Sequence, residues 1–392
     1  MKKLAYILSS IPLLTSLSAC ESTDLPIQHA DGYEYINFTV ETQKVESRAN
    51  ADSRAIAPTR ANNYENYDPT LHPKEMGVFG YQDDAAATSN FIFSNTKVSY
   101  DETKTSWGYE NPKKWSEYPN AKTFDFFAYM PLSTEAKVTT ESNASSSCTL
   151  SIPFTMPSES SPFLYDTQAA PIICAKGEHR LVKDNEGNAK KFSPTINFQF
   201  DQTLTGYNLL FKLDPTMGAI RQFSIKKVSI TGDILTNGTL TRVYTYDATN
   251  QTWTGGAIQW NNATRKTFDS GFPIQLFHTS TNTASSTTAV SDPLTVTSKD
   301  FAQWGKTFYT IPDENFKPTI SVTYDVELVK EDGSTVVTRQ NVTSSIILNK
   351  DNFGSFNTNK PATINNIRIL IQPRYLYVLS DQDAYTGHLL VE

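Results

Sequence analysis

The chain has 392 residues and a formal net charge of -7, with 41 Asp and Glu against 34 Lys and Arg. That length exceeds what a single β core ordinarily organises and sets an expectation of two domains. The acidic balance is spread along the sequence with no basic stripe, which argues against nucleic acid or an anionic membrane surface as the main partner.

At the amino terminus Lys2 and Lys3 precede an apolar run from Leu4 to Leu17, broken by Pro12 and followed by Ser18, Ala19 and Cys20. A charged start, a short apolar stretch and small residues before the cut make residues 1–20 a signal peptide. The run falls short of the roughly 18 to 20 apolar residues of a spanning helix, so the chain is expected to be held at a membrane in another way. Leu17-Ser18-Ala19-Cys20 resembles the lipobox of bacterial lipoproteins, in which the cysteine is acylated and the chain is cut just before it. Several acyl chains on Cys20 supply the two or more hydrophobic signals that stable anchoring requires.

From Tyr33 to Val40, Ile36, Phe38 and Val40 alternate with Asn37 and Thr39, the pattern of a strand with one apolar face. Glu41 to Tyr67 has almost no apolar residues and is expected to be an exposed, protease-accessible linker. Within it Arg48, Arg54 and Arg60 each stand between Ser or Thr and Ala, where a trypsin-like protease would find them. Three solvated arginines with no further role is the other reading.

The whole chain carries 22 Phe, 19 Tyr and 5 Trp, and beyond Tyr67 its apolar residues fall in short runs parted by Gly, Pro, Asn, Asp and Ser. Val78 to Tyr81, Phe91 to Phe93, Val98 to Tyr100 and Phe124 to Tyr129 read as strands, the last stopping at Pro131. Gly206 and the Pro215 to Gly218 turn set off a second series that starts with Phe223, Ile225, Val228 and Ile230, and the domain boundary is expected there. Ile320, Val322, Tyr324, Val326 and Leu328 then alternate without a break, and Glu331-Asp332-Gly333-Ser334 turns the chain into Thr335 to Val342 as a hairpin. Short strands without intervening helices predict an all-β chain of two β-sandwich domains in tandem, 61–216 and 217–392, after a first strand and linker in 21–60.

Sites of chemistry are sparse. His29, His72, His179, His278 and His388 include no i, i+4 pair and none at ligand spacing from a cysteine pair, so no metal is expected. No Gly-x-Ser-x-Gly elbow, phosphate-cradling glycine loop or dinucleotide fingerprint occurs, and neither catalysis nor a cofactor is expected. Cys148 and Cys174 are either a disulfide pair or two buried thiols. Asp381-Gln382-Asp383 lacks the further ligands and the glycine of a calcium loop and reads as a turn. Trp107, Trp115, Trp253, Trp260 and Trp304 are core residues or, in the other reading, sugar-stacking platforms.

Trp107-Gly108-Tyr109, Lys114-Trp115-Ser116-Glu117-Tyr118-Pro119 and Phe124-Asp125-Phe126-Phe127-Ala128-Tyr129-Met130-Pro131 resemble a stretch of the fimbrillin-like lipoproteins of the Bacteroidales. Thr59-Arg60-Ala61 followed by Gly77-Val78-Phe79-Gly80-Tyr81 is similar to the start of their folded part. The resemblance covers Met1 to about Pro131 and is weaker beyond, and Phe200-Asp201-Gln202-Thr203-Leu204 departs from a His-Ala step that members often carry there.

The resemblance implies two transthyretin-like or Greek-key sandwiches and a precursor anchored in the outer membrane through lipid on Cys20. An arginine-specific protease would cut it at Arg48, Arg54 or Arg60, releasing the first strand. A strand from a neighbouring subunit, of the same or a related kind, would then fill the groove and build a cell-surface fimbria that supports adhesion. Candidate donor residues are Tyr375, Tyr377 and Leu379 in one apolar run of 373–392, and Leu389 and Val391 in another. The alternative for both runs is to complete the second domain's own sheet. The alternative function is a monomeric surface lipoprotein that binds glycans through exposed tryptophans.

Overall fold

The computed structural model describes residues 35–44, 46–47, 63–87, 89–140, 147–157, 163–165, 167–217, 220–278, 292–348, 361–372 and 375–378. Among these residues no α-helix occurs. The strands of the first half are β1 (Asn37–Gln43), β2 (Glu46–Ser47), β3 (Tyr64–Asn66), β4 (Glu75–Gln82), β5 (Phe91–Asp101), β6 (Ser106–Gly108), β7 (Thr123–Met130), β8 (Lys137–Thr140), β9 (Ser147–Thr155), β10 (Ile172–Cys174), β11 (Glu178–Leu181) and β12 (Thr195–Gln202). Those of the second half are β13 (Thr205–Leu213), β14 (Arg221–Asp247), β15 (Thr252–Gly255), β16 (Gln259–Phe268), β17 (Ile274–Leu276), β18 (Leu294–Val296), β19 (Ala302–Thr310), β20 (Thr319–Val329), β21 (Thr335–Ile347), β22 (Thr363–Gln372) and β23 (Tyr375–Val378).

They form three sheets. The first runs β3-β1-β12-β10-β7-β4-β5-β6, with β11 also on β7. The second runs β19-β13-β22-β2, with β23 also on β22. The third runs β21-β20-β14-β9-β8, with β15, β16, β17 and β18 paired along β14. The expected all-β sandwich architecture is met.

Local sequence explains the strands. In β12 every second residue, Ile196, Phe198 and Phe200, faces the core, the period-two signature of a sheet covered on one face. The expected runs Phe91 to Phe93 and Val98 to Tyr100 are one strand, β5, carried through a bulge at Asn95, whose φ is 50°. The Asn95 side chain is held there, donating to Ser133 O at 2.7 Å and accepting from Tyr129 Oη at 2.7 Å. The β20–β21 hairpin turns at Gly333, whose φ of 79° suits a residue without a Cβ.

The cores do not divide where the Pro215 to Gly218 turn led us to expect. The first core lies between the first sheet and β9, and it also takes Leu240, Tyr244 and Trp253 from β14 and β15. The second takes Tyr207, Leu209, Phe211 and Leu213 from β13, ahead of the turn, together with Phe223, Ile225, Val228 and Ile230 from the near half of β14. A small third cluster of Met156, Leu164, Ala170, Leu204, Leu235 and Ile311 fills the joint. On core membership the chain passes from the first sandwich to the second between Phe200 and Tyr207, and β14 roofs both. The turn is a poor marker because β13 already pairs with β22 and β19 before it.

Two outcomes follow. A Cβ on Gly77 would overlap the Tyr129 ring and press on Asn95 Oδ1, so Gly77→Ala lowers stability by about 1–3 kcal/mol, read as a lower urea midpoint. His72 is 5% exposed and burial lowers its pKa, against the smaller pull of Asp68. As pH falls below about 6.5, the unfolded chain binds a proton at His72 that the folded chain resists, and stability drops. In a His72→Gln variant the urea midpoint loses that part of its decline between pH 7 and pH 5.

Candidate functional site

The first strand is built into the first core as an insert. β1 pairs in parallel with β12, Asn37 against Thr195 through Thr42 against Phe200, and antiparallel with β3, Glu41 against Asn66 through Gln43 against Tyr64. A parallel neighbour cannot be joined by a hairpin, so β1 is placed by the slot it fills rather than by its connection. Its inner face puts Ile36, Phe38, Val40 and Thr42 out of water. The Phe38 ring stacks on Phe198 at 5.5 Å and meets Phe93, Tyr109 and Phe126 edge-on or tilted. Burial of Ile36, Phe38 and Val40 contributes about 1.5–3 kcal/mol each.

The outer face of β1 is a polar ladder onto β12. Thr39 Oγ1 donates to Asn197 Oδ1 at 3.1 Å, Gln199 Nε2 donates to Glu41 Oε2 at 2.9 Å, and the Gln202 amide donates to Gln43 Oε1 at 3.2 Å. At the start of the strand Tyr109 Oη donates to Ile36 O and the Ile36 amide donates to Lys113 O. Beyond β1, β2 pairs in parallel with the Thr363–Ile364 end of β22, so residues 37–47 touch both sandwiches. The fit has one flaw: Thr42 Oγ1 is buried with no partner among the described residues.

Behind the ladder lies a buried charge. Arg242 Nη1 donates to Asp201 Oδ2 at 2.7 Å and to Cys174 O at 2.8 Å, and Arg242 Nε donates to Gly256 O at 3.0 Å. Tyr64 Oη donates to Asp201 Oδ1 at 2.6 Å, and burial together with that carboxylate pushes the phenol pKa upward. Elsewhere in the first sandwich, the Asp125 carboxylate accepts from Trp253 Nε1 and sits 2.6 Å from His179 Nδ1.

The structure sorts the residues singled out in sequence. Cys20, Arg48, Arg54, Arg60, Leu379, Leu389, Val391 and the Asp381 to Asp383 segment lie outside the described residues. Tyr375 and Tyr377 lie in β23, opposite Gln372 and Leu370 of β22. β23 and β2 thus occupy the two ends of one edge of β22. Glu41 to Tyr67 is not linker throughout: Glu41–Gln43 belongs to β1, and Glu46–Ser47 and Tyr64–Asn66 are strands. Polar side chains masked this, because the buried contribution of Glu41 and Gln43 comes from backbone pairing and ladder bonds to β12.

Cys148 and Cys174 are separate buried thiols, and burial pushes Cys148 up to about 12. Trp115, Trp253 and Trp304 are core residues, which removes them as sugar platforms, and Trp107 and Trp260 are half-buried. Sequence reasoning missed Tyr64, Asp201 and Arg242, whose separation along the chain hides their contact.

No family model and no curated protein matches the chain. A fimbrial protein from Bacteroides vulgatus matches at a TM-score of 0.51 and 16% identity, over 92% of this chain and 98% of its own. The two share a fold. A candidate cell adhesion protein from Bacteroides uniformis matches at 0.42 and 14% identity, over 92% and 99%. A fimbrial assembly protein from Parabacteroides distasonis matches at 0.32 and 9% identity, over 91% and 100%. The fold comparison rests on the first of these.

The slot's occupancy is measurable in the intact chain. Phe38→Ala lowers stability by about 3–5 kcal/mol, whereas Thr42→Val, which removes the unpartnered hydroxyl at nearly constant volume, raises it by about 1 kcal/mol. Paired urea titrations of the two variants check both signs.

Proposed function

We propose that this chain is a structural subunit of a cell-surface fimbria that supports adhesion and assembles by strand exchange. The observation that carries the reading is β1 itself, a parallel insert with an apolar inner face that ends at Gln43, five residues before Arg48, with β2 between them on the edge of β22. The fold shared with a fimbrial protein supports the same assignment. The precursor is anchored to the outer membrane through lipid on Cys20. An arginine-specific protease cuts after Arg48, Arg54 or Arg60, and β1 leaves.

Departure of β1 uncovers the backbone edge of β12 and the Phe93, Phe126 and Phe198 rings, which is the condition for adding a strand from another chain. The donor is the 373–392 segment of a second copy or a related subunit. Tyr375 to Leu379 brings an alternation of Tyr375, Tyr377 and Leu379 that suits the positions of Ile36, Phe38 and Val40. For this the donor must leave β22, where β23 is held over only four residues.

Replacing Arg48, Arg54 and Arg60 together with Ala leaves full-length protein after treatment with an arginine-specific protease and no polymer on filtration; polymer from the triple variant sinks the processing step. Deleting Tyr375 to Glu392 abolishes polymer while leaving cleavage intact, and undiminished polymer assigns the donor elsewhere. Cys20→Ala loses fatty-acid labelling and leaves the membrane fraction; persistent labelling removes the anchor.

A further inference from the structure

Gln43, the last residue of β1, has Tyr64 of β3 on one side, and continuation of the β1–β12 register puts Asp201 on the other. Thr42 and Phe200 point into the core, so Gln43 and Asp201 point out, on the same face as the Tyr64 side chain. β3 and β12 are two strand spacings apart, about 9.5 Å, with β1 between them. The hydrogen bond from Tyr64 Oη to Asp201 Oδ1 therefore spans β1, and the phenol lies across its backbone like a bar.

The bar is anchored at both ends. Asp201 is fixed by Arg242, which also donates to Cys174 O and Gly256 O, so the carboxylate is held in place. At the other end Tyr67 packs against Tyr100 and Trp107, each at 4.9 Å, and donates to Pro73 O at 2.9 Å. Among the described residues β3 has no backbone ladder except with β1. A cut between Ser47 and Asn63 puts β1 and β3 on different fragments while leaving the Tyr64–Asp201 bond intact.

We propose that Tyr64 and Asp201 form a latch that retains β1 after the linker is cut, so that cleavage and release of the strand are separate steps. This rests on the reading of β1 as the segment that leaves. The latch keeps the aromatic floor of the slot covered in the cut subunit. It also obliges an incoming strand to pass beneath Tyr64, or Tyr64 to swing away, before the slot can be refilled. Tyr64, Asp201 and Arg242 are positioning residues, since they act on the strand through one another rather than by occupying the slot.

The test uses the full chain with a specific protease site placed within residues 48–62, cut to completion, and follows loss of the β1 peptide by size exclusion and mass spectrometry. A hydrogen bond to a charged acceptor slows opening by about tenfold to a hundredfold. Tyr64→Phe, which keeps the ring, is expected to speed release by at least about tenfold, and to have a smaller effect in an Asp201→Asn background. Tyr246→Phe removes a phenol hydroxyl on β14 that faces His179 and takes no part in the bar or its anchors, and is expected to leave the rate unchanged.

Equal rates for Tyr64→Phe and the unaltered chain overturn the latch, as does an equal gain from Tyr246→Phe. Hydrogen exchange at the Phe38 to Thr42 amides of the uncut proteins gives a second readout, in which only Tyr64→Phe and Asp201→Asn lose protection. Release is scored without assembly. A fast-releasing variant that forms no polymer therefore counts against the assembly reading alone, and an unchanged rate with normal polymer counts against the latch alone.

Discussion

The edge of β12 that β1 fills governs the first sandwich. Residues 195–200 of β12 carry backbone donors and acceptors that β10 reaches only near the far end, and on the other side their ladder is supplied by β1. An unfilled edge over an aromatic floor is costly twice, through unpaired backbone and through wetted apolar surface. Something must occupy it. What occupies it is constrained only to be extended, apolar on alternate residues and polar on the others, because contact is made through a ladder and a row of side chains. These are the requirements on which the strand exchange proposed above depends.

The two sandwiches are not independent beads. β14 gives its near half to the second core and its far half to the first, with bulges along its pairing to β16 that let one strand follow both sheets. β1 and β2 likewise reach both units, with β1 in the first sheet and β2 on the edge of β22 in the second. Loss of these two strands therefore touches both units, while the shared β14 keeps them joined. β1, the inserted strand, is thus distinct from β14, the strand that joins the two cores.

The Arg242–Asp201–Tyr64 group supplies what hydrophobic burial alone does not, a fixed geometry at one position of an otherwise repetitive ladder. A strand in a slot can slip by two residues with little change in which side chains face inward. Gln43, bonded to the Gln202 amide beneath the Tyr64 ring, marks the register. The buried ion pair costs desolvation, which is offset in part by the backbone carbonyls of Cys174 and Gly256, each accepting a further guanidinium donor.

The sequence by itself determined the β class, since Ile320 to Leu328 alternates with a period of two, and Phe223 to Ile230 does so on either side of a bulge between Ile225 and Lys227. It also determined that Ile36, Phe38 and Val40 share one face, and that a polar stretch carrying three arginines follows them. These are properties of neighbours along the chain. Tertiary structure alone decided which edge β1 fills, that the pairing is parallel, that β14 serves two cores, and that three of the five tryptophans are sealed inside. It also decided the fate of Glu41 to Gln43 and Tyr64 to Asn66, polar runs whose order comes from a partner strand far away in sequence. The physical reason is that a strand's stability resides in its ladder and in the face it covers, and both belong to residues that local pattern does not name. Tyr64, Asp201 and Arg242 show this most plainly: each is an ordinary polar residue in its own segment, and only the sheet brings them within hydrogen-bond reach.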